Sequence, residues 1–469
     1  MMSVGRLRIG WMLLFLVGAP ASAGAVEPHE AFLEALLKRG YGEVALDYID
    51  ALQARTDIQV MLRSRLDLER SRAMRLAADE AYDESQRESR LKAAKQYLDK
   101  FIEENPAHPY AGFAMLSGGD DLIQQAQYQI AAARQTQDEA EKKTLFDTAR
   151  KNLEEAKVNY NAAIKRLKER LEGIPPRPAG NRPDPAEQLR TNTEGAWLEG
   201  RFQTAFCDYL SAQTLNAQEQ GPELKKLLEA ACNTFDSIFQ DYRGRRIAVL
   251  AHFWHGRAKE EMGDEEFALE LYEETLFGEP DPQDATEEDA DLYGRANLYY
   301  FRLAMKEMEK LEAAKEGEAW LADHEDWDRT PHYQGMVLEV AKLKADLLST
   351  VNKTAKTKGL REIAAELAKV GKIESEYRQE ALLLRQKLLA DADIKQDGMS
   401  IEDLVAMADE ALETKDWARA QESYEQALEQ AKDAKPPFDP ERRKFVVDRL
   451  SKTRYQLALQ AFTSGKLDE

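Results

Sequence analysis

Two cysteines, six histidines and 86 acidic side chains are the groups with which this chain of 469 residues could do chemistry. Cys207 and Cys232 flank a break in helical pattern. The helix carrying Cys207 is expected to run to about Gln218, and the next to begin near Pro222. The midpoint of the two cysteines falls in that turn, which puts both thiols at one height of an antiparallel hairpin. In an exported protein they could form a disulfide closing a loop of about 26 residues, worth roughly 3 kcal/mol. The alternative is two small hydrophobes in one core. His252 and His255 lie one helical turn apart and could hold a metal from one face. They have no third ligand nearby, and no CxxC or Cys/His spacing exists. Asp323, Glu325, Asp326 and Asp328 offer oxygens around His324, but without EF-hand spacing the segment reads as a loop between helices. There is no P-loop, no GxGxxG after a strand and no GxSxG elbow. The carboxylates lie along helical faces, and none is set apart as an acid–base pair. The expectation is a non-enzyme with no catalytic residues, no metal and no cofactor.

Those groups must be carried by helices. Hydrophobic residues make up 43% of the chain and charged residues 32%, a mixture that favours solvated helices over disorder. The net charge of -21 repels phosphate backbones and anionic membrane faces. No nucleic-acid partner is expected, and a basic protein or peptide, or solubility alone, fits better. Residues 1–23 read as a signal peptide. Arg6 and Arg8 precede the short apolar run Ile9 to Val17, and Ala21-Ser22-Ala23 supplies small residues for cleavage after Ala23 or Ala25. A run of about nine apolar residues is too short to span ~30 Å of hydrocarbon, although an uncleaved anchor is the other reading. No Cys follows it, and no later run is long enough to enter a membrane. The mature chain is therefore expected in the periplasm or cell envelope, or secreted.

After residue 29 the apolar residues recur at helical spacing and no alternating strand is evident. Breakers at 105–109, 117–119, 173–184, 220–222, 278–283, 330–332, 397–399 and 436–440 read as turns. The Pro-rich stretch is the expected boundary between two sub-arrays. Phe146, Ala149, Leu153, Ala156, Tyr160, Ala163 and Leu167 step by three and four, as do Ile123, Ala126, Ile130 and Ala133. This heptad seam predicts a long antiparallel, coiled-coil-like hairpin over about 119–173. It would either project to meet a partner or pack on its neighbours as an elongated repeat. Trp320 and Trp327 would anchor a peptide if exposed. Trp320, next to Leu321, fits better as the close of a helix pair.

The segment from Leu250 to Pro282 resembles one unit of the tetratricopeptide repeat (TPR) superfamily along its full length. Gly256 and Ala258 are small where its two helices approach, and Gly263-Asp264 makes the turn. Ala268 is small at the crossing, Tyr272 and Leu276 fill the space between units, and Pro280 stops the second helix. His252 and Thr275 depart from the family pattern. Residues 404–428 resemble a second unit through Ala408, Ala411, Ala420, Tyr424 and Ala427, without the turn glycine. Looser matches lie at 36–49, at 94–106 and from Tyr455 to the Gly465 turn, which suggests that the array continues past Glu469. The resemblance implies an all-α solenoid of TPR-like antiparallel helical hairpins, some elongated. The expected order is 24–174 for N-terminal hairpins, 175–184 for the Pro-rich linker, 185–395 for a TPR-like array and 396–469 for incomplete terminal repeats. It also implies a scaffold that binds a protein or peptide, with Arg257, Glu260 and Glu261 facing outward. The alternatives are a self-assembling envelope component, or the front part of a larger protein with its activity beyond residue 469.

Overall fold

The structure is a computed structural model. It describes residues 28–79, 81, 84–136, 138–178, 184, 186–371, 373, 375–391, 401–413, 416–432, 434 and 438–463. The expected signal peptide, the turn at 397–399, residues 179–183 of the Pro-rich stretch and the Gly465 turn lie outside them. The described residues form nineteen α-helices and two short 3₁₀ turns, with no strand among them. Contacts divide the chain into two compact units, with the division after Ala268.

The N-terminal unit starts with α1 (Pro28–Lys38), α2 (Gly42–Gln53), α3 (Val60–Arg63) and α4 (Leu66–Asp79). It continues through α5 (Glu84–Glu104), α6 (Ala111–Gln135), α7 (Glu139–Glu172) and α8 (Glu187–Ala212). It ends with α9 (Ala217–Tyr242), α10 (Arg246–Glu261) and the start of α11 (Glu265–Leu276). Helix α1 packs on α2 and α2 on α4, the helices from α4 to α10 pack each on the next, and α8 also meets α6 and α10. Two cores result. A small one joins Leu33, Leu37, Ile49 and Leu62, and a large one runs through α5 to α10.

The long hairpin is α6 and α7. Ala149, Leu153, Ala156, Tyr160, Ala163 and Leu167 are all buried, as are Ile123, Ala126, Ile130 and Ala133. Asp138 starts α7 by accepting the backbone N–H groups of Ala140 and Glu141, which satisfies donors the helix leaves open. One expectation fails here. Ser117-Gly118-Gly119 is no turn but lies in the middle of α6. A Cβ on Gly119 would stand 2.5 Å from Cζ of Tyr160, and one on Gly112 would stand 2.9 Å from Cγ of Leu167. These glycines are present for close approach of two helices, not for a change of direction.

A second correction concerns the Pro-rich stretch. It does not separate two arrays, because α7 packs on α8 across it and residues of both belong to one core. Arg190 Nη2 donates to the Pro175 carbonyl at 2.5 Å, tying the segment back to α8. A third concerns 220–222. Gln220 is non-helical and Pro222 sits inside α9, so the break kinks α9 rather than separating two helices, and the helix carrying Cys207 ends at Ala212.

The C-terminal unit continues with α12 (Glu287–Ala304), α13 (Lys310–Asp323), α14 (Pro331–Leu347) and α15 (Lys353–Val370). It closes with α16 (Arg378–Asp391), α17 (Ile401–Glu413), α18 (Trp417–Gln430) and α19 (Pro440–Thr463). Its starts are well specified. Thr286 and Asp289 form a reciprocal capping box on α12, Pro331 opens α14 and Asn352 caps α15. One core lies among α12 to α16 and another among α17 to α19. Ala420, Tyr424 and Ala427 are buried as the repeat pattern requires. The described residues are thus all-α, an array of packed helices with several of them elongated.

Candidate partner-binding face

The resemblance residues behave as packing residues. Gly256 and Ala258 are buried on α10, and Ala268 and Tyr272 are fully buried on α11. Gly263 has φ of 82°, a left-handed turn that glycine adopts without strain. Leu276 and Pro280 are half-buried. In the N-terminal unit, α6, α8 and α10 lie side by side as the first helices of successive hairpins. Their shared face is the natural place for a partner.

At the α8–α10 seam, Tyr209 Oη donates to Glu261 Oε1 at 3.2 Å, and Arg257 Nη2 donates to the same oxygen at 3.1 Å. Arg257 also pairs with Glu260 at 2.5 Å. Only 13% of the Arg257 side chain is exposed, against 36% for Glu261. The expectation that all three face outward is therefore corrected. The guanidinium is enclosed between α8 and two carboxylates three and four residues further along α10, while the carboxylates reach solvent. Trp254 packs edge-on to Phe206 and Tyr209, with ring centres 4.7 and 5.0 Å away.

At the α6–α8 seam the polar groups are buried. Tyr160 Oη donates to Asp120 Oδ1 at 2.7 Å. Gln203 Nε2 donates to Glu199 Oε1 at 2.7 Å, both side chains being buried. Burial pushes the Glu199 carboxyl up to about 8, and the negative charge of Asp120 adds to this. Burial also raises Asp120 to about 6, against the pull of the Tyr160 hydroxyl. Glu199 is thus protonated at neutral pH. Gln203 Oε1 has no hydrogen-bond partner, so reversal of that amide gives the Glu199 hydroxyl an acceptor. Near Asp120, Arg75 Nη2 pairs with Asp121 at 2.9 Å. Sequence reasoning missed this cluster. Its one signal is position: Glu199 falls within the apolar face that Ala196, Leu198, Phe202 and Phe206 form on α8.

The cysteines hold the expected register. Arg201 bonds Ser237, Phe202 meets Phe235 and Trp197 meets Tyr242, pairings that set Cys207 level with Cys232. Both are nonetheless free and buried. Cys207 turns toward Lys157 and Asp208, and burial holds its thiol far above the usual range. Cys232 turns toward Lys259, and burial raises it to about 11.

His252 stacks on Phe239 with ring centres 3.7 Å apart, and His255 stands edge-on to Phe267. Burial lowers His255 to about 4. These rings pack a core rather than aim lone pairs at one point. Among the described residues no group of three His, Cys, Asp or Glu side chains could hold a metal. No described helix is long and apolar enough to cross a membrane.

In the C-terminal unit, the segment 323–328 does connect α13 and α14, through a 3₁₀ turn at Glu325–Trp327. Trp320 stacks on His324 at 4.3 Å, and Trp327 closes the cluster edge-on at 4.7 Å from His324. Trp327 is 3% exposed, and its indole N–H donates to the Pro282 carbonyl at 3.4 Å. Both tryptophans are packing residues rather than open anchors. His324 Nε2 meets Glu279 at 3.2 Å. On α12, Asp291 lies 3.0 Å from Arg295 and 3.2 Å from His332. Burial would raise its carboxyl, but the Arg295 guanidinium and the hydrogen-bonding His332 imidazole outweigh it and hold it at about 2, while burial and Arg295 lower His332 itself.

No family model and no curated protein matches the chain. Among solved structures it is similar to a circular tandem repeat protein with a novel repeat topology, at 15% identity and a TM-score of 0.25, covering 93% of this chain and 90% of that one. It is also similar to the TPR domain of P58(IPK), at 16% identity and a TM-score of 0.18, covering 93% and 99%. Both overlays are too loose to place any residue of this chain on a residue of theirs.

Proposed function

We propose that this chain is an exported, non-catalytic scaffold that holds a protein or peptide partner against the first helices of its hairpins. The observation that carries the reading is the α8–α10 seam. An enclosed guanidinium there fixes two carboxylates at the solvent edge of adjacent first helices, beside the packed ring of Trp254. Rigid elements presenting ordered polar groups suit recognition of an extended or helical segment. Carboxylates at that edge, and the net charge of -21, favour a partner with basic side chains. Export rests on the arrangement of residues 6–25, and the periplasm or cell envelope follows from it.

The test is affinity capture from an envelope extract, with the wild-type chain beside Glu260→Lys/Glu261→Lys. A specific protein retained by the wild type and lost by the variant is the expected result. Equal retention by both would remove this face from the proposal. A fusion of residues 1–30 to a periplasm-dependent reporter tests export, and an inactive reporter would refute it.

A further inference from the structure

A basic helix stands out in this acidic chain. Helix α19 carries Arg442, Arg443, Lys444, Arg449, Lys452 and Arg454 against two acids, Glu441 and Asp448. Arg454 pairs with Glu425 at 2.9 Å. The other five make no ion pair among the described residues, although the chain holds 86 acids to choose from. Arg442, Phe445, Arg449 and Lys452 fall on one side of α19 at steps of three, four and three. The two guanidinium carbons stand 5.5 and 5.1 Å from the centre of the Phe445 ring, one on each side of it in sequence. The ring is 36% exposed. The adjoining side of the helix, about a quarter turn round, is spoken for, since Val446, Leu450 and Thr453 are buried where α19 packs on α18.

The same unit carries the complement. Between Leu269 and Gly294 there are ten acids and no Lys, Arg or His. Glu270, Glu273, Asp281, Asp284 and Glu287 are exposed and make no ion pair among the described residues. Phe277 stands among them 79% exposed, the most exposed aromatic ring of the described residues. The stripe from Arg442 to Lys452 is about 15 Å long at 1.5 Å per residue. Glu270 and Glu273 lie on α11 and Asp281 in the turn segment after it, with an apolar ring in their course as on α19.

We infer that the basic face of α19 docks on the acidic 270–288 surface of a second copy of this chain. Guanidinium groups would meet both carboxylates and the Phe277 ring, a pairing that supplies charge and cation–π contact together. The two faces differ, and we take the contact to be heterologous, with one basic face on one acidic face. Each contact leaves one basic and one acidic face unused, and assembly proceeds head to tail into a ring or an open chain. This is independent of the partner reading above. The net charge opposes approach of two copies at long range, while the matched faces act at contact. Screening extends over about 30 Å at 0.01 M salt, 8 Å at 0.15 M and 3 Å at 1 M. Assembly is therefore strongest at intermediate salt, whereas a purely apolar contact would strengthen steadily.

Sedimentation velocity and light scattering of the full chain test this, with Arg449→Glu/Lys452→Glu and Glu270→Lys/Glu273→Lys as variants. The wild type is expected to gain mass with concentration, most near 0.15 M salt. Each variant alone is expected to stay monomeric, with affinity reduced about tenfold or more. An equimolar mixture of the two is expected to form dimers and nothing larger, because only one matched pair of faces survives. Unchanged circular dichroism melting shows that the variants are folded. Arg449→Gln/Lys452→Gln, which adds no negative charge, is the substitute if the reversal unfolds. A wild type that stays monomeric at all salts, variants that assemble like the wild type, or a mixture that stays monomeric would each overturn the inference.

Discussion

Two acidic sites in this molecule treat their carboxyls in opposite ways. On α12, half-buried Asp291 sits between Arg295 and His332 and remains charged at about 2. On α8, buried Glu199 has only the Gln203 amide and a second acid, Asp120, in its neighbourhood, and burial pushes it up to about 8. The first site meets the cost of burial with a guanidinium and an imidazole. The second meets it by taking up a proton. The C-terminal unit is thereby exposed to acid and the N-terminal unit to alkali.

The largest expected effect comes from breaking the charged site. Arg295→Leu leaves a carboxylate and a buried imidazole without their cation and should cost about 3 kcal/mol at neutral pH, read as a fall in the urea midpoint. A loss within error would show that solvent, not Arg295, carries Asp291. Next comes the uncharged site. The folded value of Glu199 lies above the 4.5 of a free carboxyl, so its contribution is complete below about pH 4.5 and drains away as pH rises to about 8. Glu199→Gln should flatten that decline and exceed the wild type by about 2–3 kcal/mol at pH 8.5, measured as melting temperature against pH. Parallel profiles for the two proteins would sink the assignment. For Asp291 the sign is reversed. Its folded value lies below the ordinary 3.8, so its contribution is present above about pH 4 and is lost as pH falls toward 2. Asp291→Asn should make that acid limb shallower and leave the alkaline limb alone.

A smaller change sharpens the same contrast. Tyr160→Phe removes the one hydroxyl donated to Asp120 and should cost about 1–2 kcal/mol, with the Asp120 titration, followed by carboxyl NMR, moving upward. A downward move would mean that the hydroxyl does not stabilise the carboxylate. The smallest effect concerns the thiols. Cys232 should alkylate before Cys207 in the folded chain, and non-reducing peptide mapping should find both free. A mapped Cys207–Cys232 bridge would overturn this and would stiffen the α8–α9 hairpin that carries Glu199.

Much of the helical organisation could be read from spacing alone. The seam of α7 was legible because Ala149 to Leu167 repeat in threes and fours, and burial follows those positions one by one. The hairpin turn at Gly263 was legible because a glycine separated two apolar patterns. Glycine failed as a signal at 117–119, since in sequence a glycine that admits a ring looks the same as a glycine that turns the chain. Only the partner, Tyr160, some 40 residues away, distinguishes them. The boundary expected at the Pro-rich stretch failed for a related reason. Proline stops a helix, but whether the next helix packs back is decided by the faces on either side. The Glu199 site was illegible because one acid among 86 becomes unusual only when packing buries it near Asp120 of α6. Arg257 was misread because its spacing gave the right face of α10 but not the presence of Tyr209 on α8.

The bond from Tyr160 to Asp120 has a consequence for how the long hairpin finds its alignment. Gly119 faces Tyr160 and Gly112 faces Leu167, so residues across the seam pair with a constant sum. The same sum sets Ile123 against Ala156, Ala126 against Leu153 and Ile130 against Ala149, large against small throughout. Because the pattern repeats every seven residues, sliding α7 by one heptad keeps large against small along much of the seam, and packing alone distinguishes the two alignments poorly. The polar pair does distinguish them. In either slipped alignment Asp120 would face Leu153 or Leu167, an acid with no donor beside an aliphatic chain. One hydroxyl and one carboxyl thus act as a key cut for a single notch of an otherwise repetitive ratchet.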